Sequence, residues 1–326
     1  MEIRNGLEGL RSIPPGAVLS IGNYDGIHRG HRRLLELAQS IRALHSRQDG
    51  GRARVAVVTF EPHPLTVLRP ELAPPRLTPP AIKQALLEAA GVDDYVILPP
   101  APQVLNLSAE QFWAILRDEV KPTHLVEGSS FNFGKGRGGN IERLKEWSAQ
   151  SAIKLDVVDA VTVPLLDLSV VPVSSSLIRW LLANGRVRDA AICLGGAYTL
   201  RGEVIEGFKR GRSISVPTAN LKCDEQLIPA DGVYVGRCRV NDVTHPAAVS
   251  IGSLPTFQER RHQVEAHLLD FAGDLYAKTI EVELIDWLRD QRKFAGIEAL
   301  KDQIRRDITY VQTRFNIEPS RPIAAA

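Results

Sequence analysis

The stretch A-V-L-S-I-G-N-Y-D-G-I-H-R-G-H-R-R-L-L, from Ala17 to Leu35, decides how the rest of the chain is read. Val18 to Ile21 form a short apolar run suited to a buried strand, Gly22 to Gly26 a polar glycine-rich turn, and a basic helix begins beyond them. His28 and His31 stand three apart with Gly30 between them. In a first helical turn that spacing places both imidazoles on one face. Gly30 is expected to keep that face low enough for a bulky anion to reach the helix end, where free N–H groups and the dipole are positive. A polyphosphate suits such a site. Two histidines in an ordinary loop are the plainer alternative, and the strand–loop–helix setting weighs against it.

Working outward, apolar runs alternate with amphipathic segments. Arg54 to Phe60, Tyr95 to Leu98 and His124 to Glu127 read as buried strands, with helical patterns at Ala81 to Ala90 and Ala109 to Val120 between them. Strands spaced by helices imply a parallel sheet covered on both faces. Ligands bind such sheets beyond the carboxyl ends of the strands. Three loops fall there: Gly22 to His31, Glu61 to Pro64, and Gly128 to Gly139. In T-F-E-P-H-P (Thr59 to Pro64), Pro62 and Pro64 are expected to hold Glu61 and His63 extended, either as a rigid turn or as a ligand contact. In G-S-S-F-N-F-G-K-G-R-G-G, glycines permit close approach, Lys135 and Arg137 bring charge, and Phe131 and Phe133 bring flat apolar faces. No G-x-x-x-x-G-K-[ST] phosphate loop occurs. Further on, V-S-S-S-L-I-R-W-L-L (Val173 to Leu182) opens a helix with hydroxyls that can cap its N–H groups. Ser175 and Arg179, one turn apart, make a clamp for triphosphate oxygens.

Gly195-Gly196 end a helical stretch from Arg186 to Leu194, and the text changes there to short strands broken by Gly, Pro and Asp. Thr199 to Ile205, Val233 to Val240, Ala247 to Gly252 and Thr279 to Leu284 predict a small antiparallel barrel. A last helix, Ile297 to Thr313, carries Ile297, Leu300, Ile304 and Ile308 as its apolar stripe. Gly202, Gly207 and Gly211 with Lys209, Arg210 and Arg212 make a cationic flap. In P-T-A-N, Thr218 and Asn220 point the same way if the segment is extended. A hydroxyl and an amide oxygen are hard ligands suited to Mg²⁺ carrying nucleotide phosphates; a turn closed by the Asn alone is the alternative. In V-E-A-H-L-L, Glu265 and His267 share one strand face, and an acid opposite a Mg–ATP site is a candidate general base for an alcohol.

These motifs, in order and spacing, resemble bacterial bifunctional riboflavin kinase/FAD synthetases over Val18 to Ile308. The resemblance implies a Rossmann-like α/β nucleotidyltransferase domain of the H-x-G-H type (residues 1–194). An antiparallel β-barrel riboflavin kinase domain with a C-terminal helix (residues 195–326) would follow. It implies two reactions: riboflavin and ATP give FMN, and FMN with a second ATP gives FAD and pyrophosphate. His28 and His31 would steady the ATP phosphates. Gly22, Asn23, Ser175 and Arg179 would line that nucleotide site, with His63, Ser130 and Phe131 on the flavin. In the barrel, Gly207, Gly211, Arg212, Thr218 and Asn220 would hold Mg–ATP, Glu265 would deprotonate the riboflavin 5′-hydroxyl, and Arg289 would border the flavin. The chain departs from the family pattern at Glu127 (usually Val), Ser130 (Asp or Asn), Ser176 (Thr) and Ser215 (Gly). Further departures are Ser250 (Asn), Ala277 (Gly) and Gln291 (Glu). Ser130 leaves open an alternative, a riboflavin kinase with a weakened or inactive adenylyltransferase domain.

Composition bounds the remainder. A length of 326 residues accommodates two cores, and 44% hydrophobic with 24% charged residues fits a globular protein. A net charge of +2 calls for no nucleic-acid partner. Three cysteines without C-x-x-C spacing, Cys193, Cys223 and Cys238, point to a reducing cytoplasm rather than a disulfide framework. No signal peptide is read at the start, and no apolar run approaches the ~20 residues that cross a bilayer. A monomer or weak homo-oligomer is expected.

Overall fold

The computed structural model describes residues 1–48, 53–206, 216–223, 226–241, 243–255 and 260–316. They form two compact units, residues 1–164 with 170–175, and residues 165–169 with 176–316.

The first unit is built on a six-stranded parallel sheet. Its strands are β1 (Glu2–Asn5), β2 (Val18–Ile21), β3 (Val55–Phe60), β4 (Asp94–Leu98), β5 (His124–Gly128) and β8 (Lys154–Val158), in the order β1-β4-β3-β2-β5-β8. Two short ribbons complete the strand set: β6 (Asn132–Phe133) with β7 (Gly139–Asn140), and β9 (Thr162–Pro164) with β10 (Val170–Pro172). Alternate residues of the central strands enter opposite cores, as a doubly covered sheet requires. Leu19, Ile21, Ala56, Val58, Val96, Leu98 and Leu125 join one core with Leu10, Phe112, Trp113 and Leu144. On the other face Val57 and Tyr95 pack with Leu35 and Leu87, and Val18, Val55 and Val126 with Ala38 and Ile41. The helices supplying those residues are α1 (Gly6–Arg11), α2 (Arg29–Gln48), α4 (Pro80–Ala89), α6 (Ala109–Ala114) and α7 (Ile141–Ala149), with short turns α3 (Leu65–Leu68) and α5 (Pro102–Leu105).

Several details depart from the sequence expectations. The edge strands β1 and β8 are too short and too charged to stand out as apolar runs. Helical winding over Ala109 to Val120 does not stay regular. Beyond Ala114 it widens, and the Lys121 N–H donates to the Leu116 carbonyl, five residues back, at 2.8 Å. The loop T-F-E-P-H-P leads into a helical turn that the sequence did not announce: Pro64, at φ −54° and ψ −31°, starts α3. Gly134 takes a φ of +73°, and a Cβ there would lie 2.6 Å from the Ala109 nitrogen, so this position requires glycine.

The second unit contains α8 (Ser175–Ala183) from Ser176 onward, α9 (Val187–Leu194) and a closed six-stranded antiparallel barrel. Its strands are β11 (Tyr198–Ile205), β12 (Ala219–Lys222), β13 (Gly232–Val240), β14 (Val243–Pro255), β15 (Arg260–Leu268) and β16 (Thr279–Arg289). The order around the barrel is β11-β12-β15-β14-β13-β16. Gly195 ends α9 in the left-handed conformation at φ +79°. The last helix, α10 (Ile297–Arg314), lays Ile308, Val311 and Phe315 against Val235 and Leu269. Its first turn overhangs that contact: Ile297, the first residue of the expected stripe, is exposed, while Ile308 at the other end packs and the charged Asp307 is buried.

Candidate functional site

In the first unit, β2 and β5 are neighbours in the sheet but pair only through Val18–His124 and Leu19–Leu125. Past that point they part, at the place where strand order reverses and ligands bind in open α/β sheets. Side chains satisfy the backbone there. Ser20 Oγ donates to the Val126 carbonyl at 2.6 Å, Tyr24 Oη donates to Ser20 Oγ at 2.6 Å, and the Ile21 N–H donates to Glu127 Oε1 at 2.8 Å. Glu127 is 1% exposed, and burial pushes its carboxyl well above the usual range, so it sits there uncharged.

The turn after β2 is held in an unusual shape. Tyr24 and Ile27 take positive φ values of 48° and 39° with fully buried side chains. Asp25 over-determines that conformation: both its oxygens accept the Leu77 N–H at 3.0 Å, and Oδ1 also accepts the Thr78 N–H at 3.0 Å. Thr78 Oγ1 in turn accepts the Gly26 N–H at 2.9 Å. The Asn23 carbonyl accepts Thr59 Oγ1–H at 2.9 Å and Lys83 Nζ–H at 3.3 Å. Ser175 Oγ donates to the Asp25 carbonyl at 2.8 Å, which ties this residue to the turn.

On this frame the His28 and His31 rings stack, with centroids 3.7 Å apart and planes 12° from parallel. The Tyr24 ring backs His31 at 4.8 Å. The His31 N–H donates to His28 Nδ1 at 3.3 Å. Burial, with the neighbouring His28 and Lys83 charges, holds the His31 imidazole well below its ordinary pKa, hence neutral. Its Nδ1 is buried without a hydrogen-bond partner. Gly30 also makes room for the neighbouring imidazole: a Cβ there would lie 3.1 Å from His28 Cε1.

The neighbouring loops are equally defined. Glu61 pairs with Arg76 and, at 2.9 Å, with the buried Lys83 ammonium. His63 Nδ1 accepts the Leu65 N–H at 3.1 Å. Phe131 stacks on Phe133 at 5.6 Å. Phe133 itself is buried against Phe112 and Trp147, which removes it from the ligand-facing set. Ser130 is exposed, its carbonyl accepting from Asn132 Nδ2 at 2.7 Å. Gly22 is half-buried, Asn23 is exposed, and Arg179 is half-buried one turn along α8 from Ser175.

In the barrel, Ala219 is buried, so Thr218 and Asn220 flank it on the outer face, both half-buried. Asn220 pairs directly with Glu265 across β12 and β15, and Ser250 of β14 stands opposite Glu265 on the other side. Gln263 Nε2 donates to Asn220 Oδ1 at 2.9 Å and to Glu265 Oε1 at 2.5 Å. His267 Nδ1 donates to the Pro217 carbonyl at 2.7 Å, and burial lowers its pKa. Arg289 is clamped by Asp307 of α10, Nη2 to Oδ2 at 2.7 Å and Nε to Oδ1 at 3.0 Å, and lies 5.9 Å from the Phe294 ring centre. Gly207, Gly211 and Arg212 lie outside the described residues.

Sequence reasoning passed over Asp25, Lys83, Gln263 and Asp307, since each works through a partner remote in sequence. Glu127 did leave a trace, a carboxyl where the family pattern has valine. Among the described residues no three His, Cys, Asp or Glu side chains gather as a metal cluster. Thr218 and Asn220 carry a hydroxyl and an amide oxygen, the donor types that a hard cation takes.

Comparison with known proteins bears on both units. A family model described as FAD synthetase matches residues 10–171, and one described as riboflavin kinase matches residues 194–315. The Escherichia coli (strain K12) bifunctional riboflavin kinase/FMN adenylyltransferase is 34% identical over 313 residues, covering 94% of this chain and 96% of that protein. The protein of the same name from Listeria monocytogenes serovar 1/2a is 33% identical over 295 residues, covering 89% and 90%. A crystal structure described as a macrolide-efflux protein from Streptococcus pneumoniae superposes with a TM-score of 0.83 at 28% identity, covering 96% of this chain and 99% of that one. That name concerns the other protein; among the described residues here no helix is long and apolar enough to cross a membrane. Two family models matched in tandem, and relatives above 30% identity along nearly the full length, lead to one conclusion: the chain belongs to the bifunctional riboflavin kinase/FMN adenylyltransferase family.

Proposed function

We propose that this chain makes FAD in two steps at two separate sites, with adenylyl transfer assigned to residues 1–194 and riboflavin phosphorylation to residues 195–326. The observation that carries the first assignment is the stacked His28–His31 pair on a turn pinned by Asp25. In adenylyl transfer a phosphate oxygen of FMN attacks the α-phosphorus of ATP, and the bond to the β,γ-bridging oxygen breaks, releasing pyrophosphate. No protein nucleophile is needed; alignment and charge neutralisation lower the barrier. The two imidazoles donate hydrogen bonds to phosphate oxygens, Gly22 and Asn23 line the same nucleotide, and Ser175 and Arg179 are assigned to its phosphates from their motif. His63, Ser130 and Phe131 are assigned to the flavin.

Glu265 opposite Asn220 supports the second assignment. Thr218 and Asn220 present hard oxygens on one face of β12 and its approach, a donor set that fits Mg²⁺ with substrate phosphates and water completing its shell. When bound, Mg²⁺ offsets the phosphate charge of ATP. Glu265 takes the proton of the riboflavin 5′-hydroxyl, whose oxygen then attacks the γ-phosphorus as ADP leaves. Gly207, Gly211 and Arg212 are assigned to the same nucleotide from sequence alone. Arg289 borders the flavin, its guanidinium oriented by Asp307.

The test is one assay: riboflavin with Mg–ATP, resolving FMN from FAD. H28A with H31A stops the chain at FMN, whereas E265Q blocks FMN formation yet still adenylylates supplied FMN. Loss of both activities in either folded variant refutes the division of labour. The reading with an inactive adenylyltransferase rested on Ser130, and no contact of that exposed serine favours it. A cytoplasmic location and a monomeric or weakly oligomeric state complete the reading; cell fractionation and sedimentation velocity test them.

A further inference from the structure

Gln263 and Glu265 both lie on the outer face of β15, since Val264, Ala266 and Leu268 between and beyond them are buried. Opposite Gln263 on β14 stands Gly252, with the Gln291 side chain lying over it. The Gln263 carboxamide leans toward β12 and reaches two oxygens at once, Asn220 Oδ1 at 2.9 Å and Glu265 Oε1 at 2.5 Å. Both of those groups only accept, so the amide NH₂ end must lie between them, and both of its hydrogens are used. We propose that Gln263 is a positioning residue for phosphoryl transfer: its amide joins the Asn220 oxygen to the Glu265 carboxylate, so that cation ligand and general base converge before substrate arrives. This rests on the roles proposed above for Asn220 and Glu265.

Two physical effects follow from the bridge. A carboxylate on an outward strand face samples several rotamers, and a donor at 2.5 Å selects one. A hydrogen bond given to the charged form of a carboxyl also favours that form, which a general base must keep. Around Glu265 stand Asn220 on β12, Ser250 on β14 and, on its own strand, His267, whose imidazole pKa burial lowers.

The experiment uses the full chain with Q263A and Q263E, measuring FMN formation across pH, FAD formation from supplied FMN, and the Glu265 carboxyl titration by ¹³C NMR. Q263A is expected to lower kcat for FMN formation about tenfold, with KM for riboflavin within about twofold of wild type. The acid limb and the Glu265 midpoint should both move up by about half a pH unit or more, because the carboxylate loses the Gln263 donor. Q263E keeps the shape but sets a second carboxyl beside Glu265, so it should shift the midpoint further and cost at least as much rate. FAD formation from FMN should stay unchanged in both. A space-filling role for Gln263 makes the opposite forecast, a nearly wild-type Q263E. That result, or an unmoved Glu265 midpoint in Q263A, overturns the proposal. The NMR titration needs no turnover, so a chain that failed to phosphorylate riboflavin would refute the functional reading while leaving the bridge separately judged.

Discussion

Replacing Glu127 by glutamine tests the reading of the gap between β2 and β5. Glu127 accepts the buried Ile21 N–H at 2.8 Å and, being buried, stays protonated well above the ordinary carboxyl range. Its folded pKa is raised, so its contribution is present in full below the unfolded value, about 4.3. That contribution is lost as pH climbs toward the folded value, because the unfolded chain ionises first. Across that window the stability of wild type relative to E127Q should fall by about 1.4 kcal/mol per pH unit. All other titrating groups cancel in the difference. Glutamine keeps an acceptor for Ile21 and does not ionise, so the variant should gain on wild type steadily as pH rises. E127V, which restores the family residue, removes the acceptor as well and should cost about 1–3 kcal/mol near pH 3, below the unfolded value, where the carboxyl is protonated in both states. The assay is hydrogen-exchange mass spectrometry across a urea series at several pH values. Peptides from β2 and β5 report the first unit, and barrel peptides serve as the internal control. A difference between wild type and E127Q that does not change with pH would refute the claim that this carboxyl is buried uncharged.

Three further outcomes are expected. D25A strands the Leu77 and Thr78 N–H groups, so it should destabilise the first unit by about 2–4 kcal/mol and depress FAD formation while FMN formation persists, read by the same urea series and product assay. D307A leaves the Arg289 guanidinium, 11% exposed, without its forked partner; a loss of about 3–5 kcal/mol in the barrel's denaturant stability is expected, with much less for R289M paired with D307L. His31 should stay neutral to well below pH 6.5 in an imidazole NMR titration. Its folded pKa is depressed, so the stability it confers is present above the unfolded value and drains away as pH falls below it; an ordinary titration near 6.5 would contradict the buried stack.

The fold was legible where pattern and burial coincide. Val18–Ile21, the strand ending at Phe60, and the barrel strands read as continuous or alternating apolar runs, because their side chains enter cores on one or both faces. β1 and β8 escaped notice because a short edge strand needs little apolar surface. At the site, the two histidines and the P-T-A-N segment were legible as motifs, since local spacing fixes their relative placement. What local spacing cannot carry is the partner across the fold. The Asp25 bonds to Leu77 and Thr78, the Lys83 contact with the Asn23 carbonyl, and the Asp307 grip on Arg289 each join segments far apart in the chain. Phe133 was misread for a related reason: a residue in a binding motif was taken to face the ligand, when the Phe112–Trp147 pocket holds it.

The departures from the family pattern take on a different meaning once their contacts are known. Read singly, Gln291 in place of glutamate and Ser250 in place of asparagine each look like a lost polar group beside the flavin. In the fold they are partners: Gln291 Nε2 donates to Ser250 Oγ at 2.9 Å and to the Ile251 carbonyl at 3.1 Å. A carboxylate at 291 could not donate to either, so the amide supplies the hydrogens that this serine and this carbonyl accept. Glu127 follows the same logic at the other site, bringing an acceptor to a strand N–H that a valine there could not satisfy. Gln291 and Ser250 thus complete a hydrogen-bonded edge between them, and Glu127 satisfies its strand N–H while staying neutral. Departures that bring their own partners leave no buried polar group stranded, which is why the whole-chain similarity is a sounder guide to both activities than any one altered motif position.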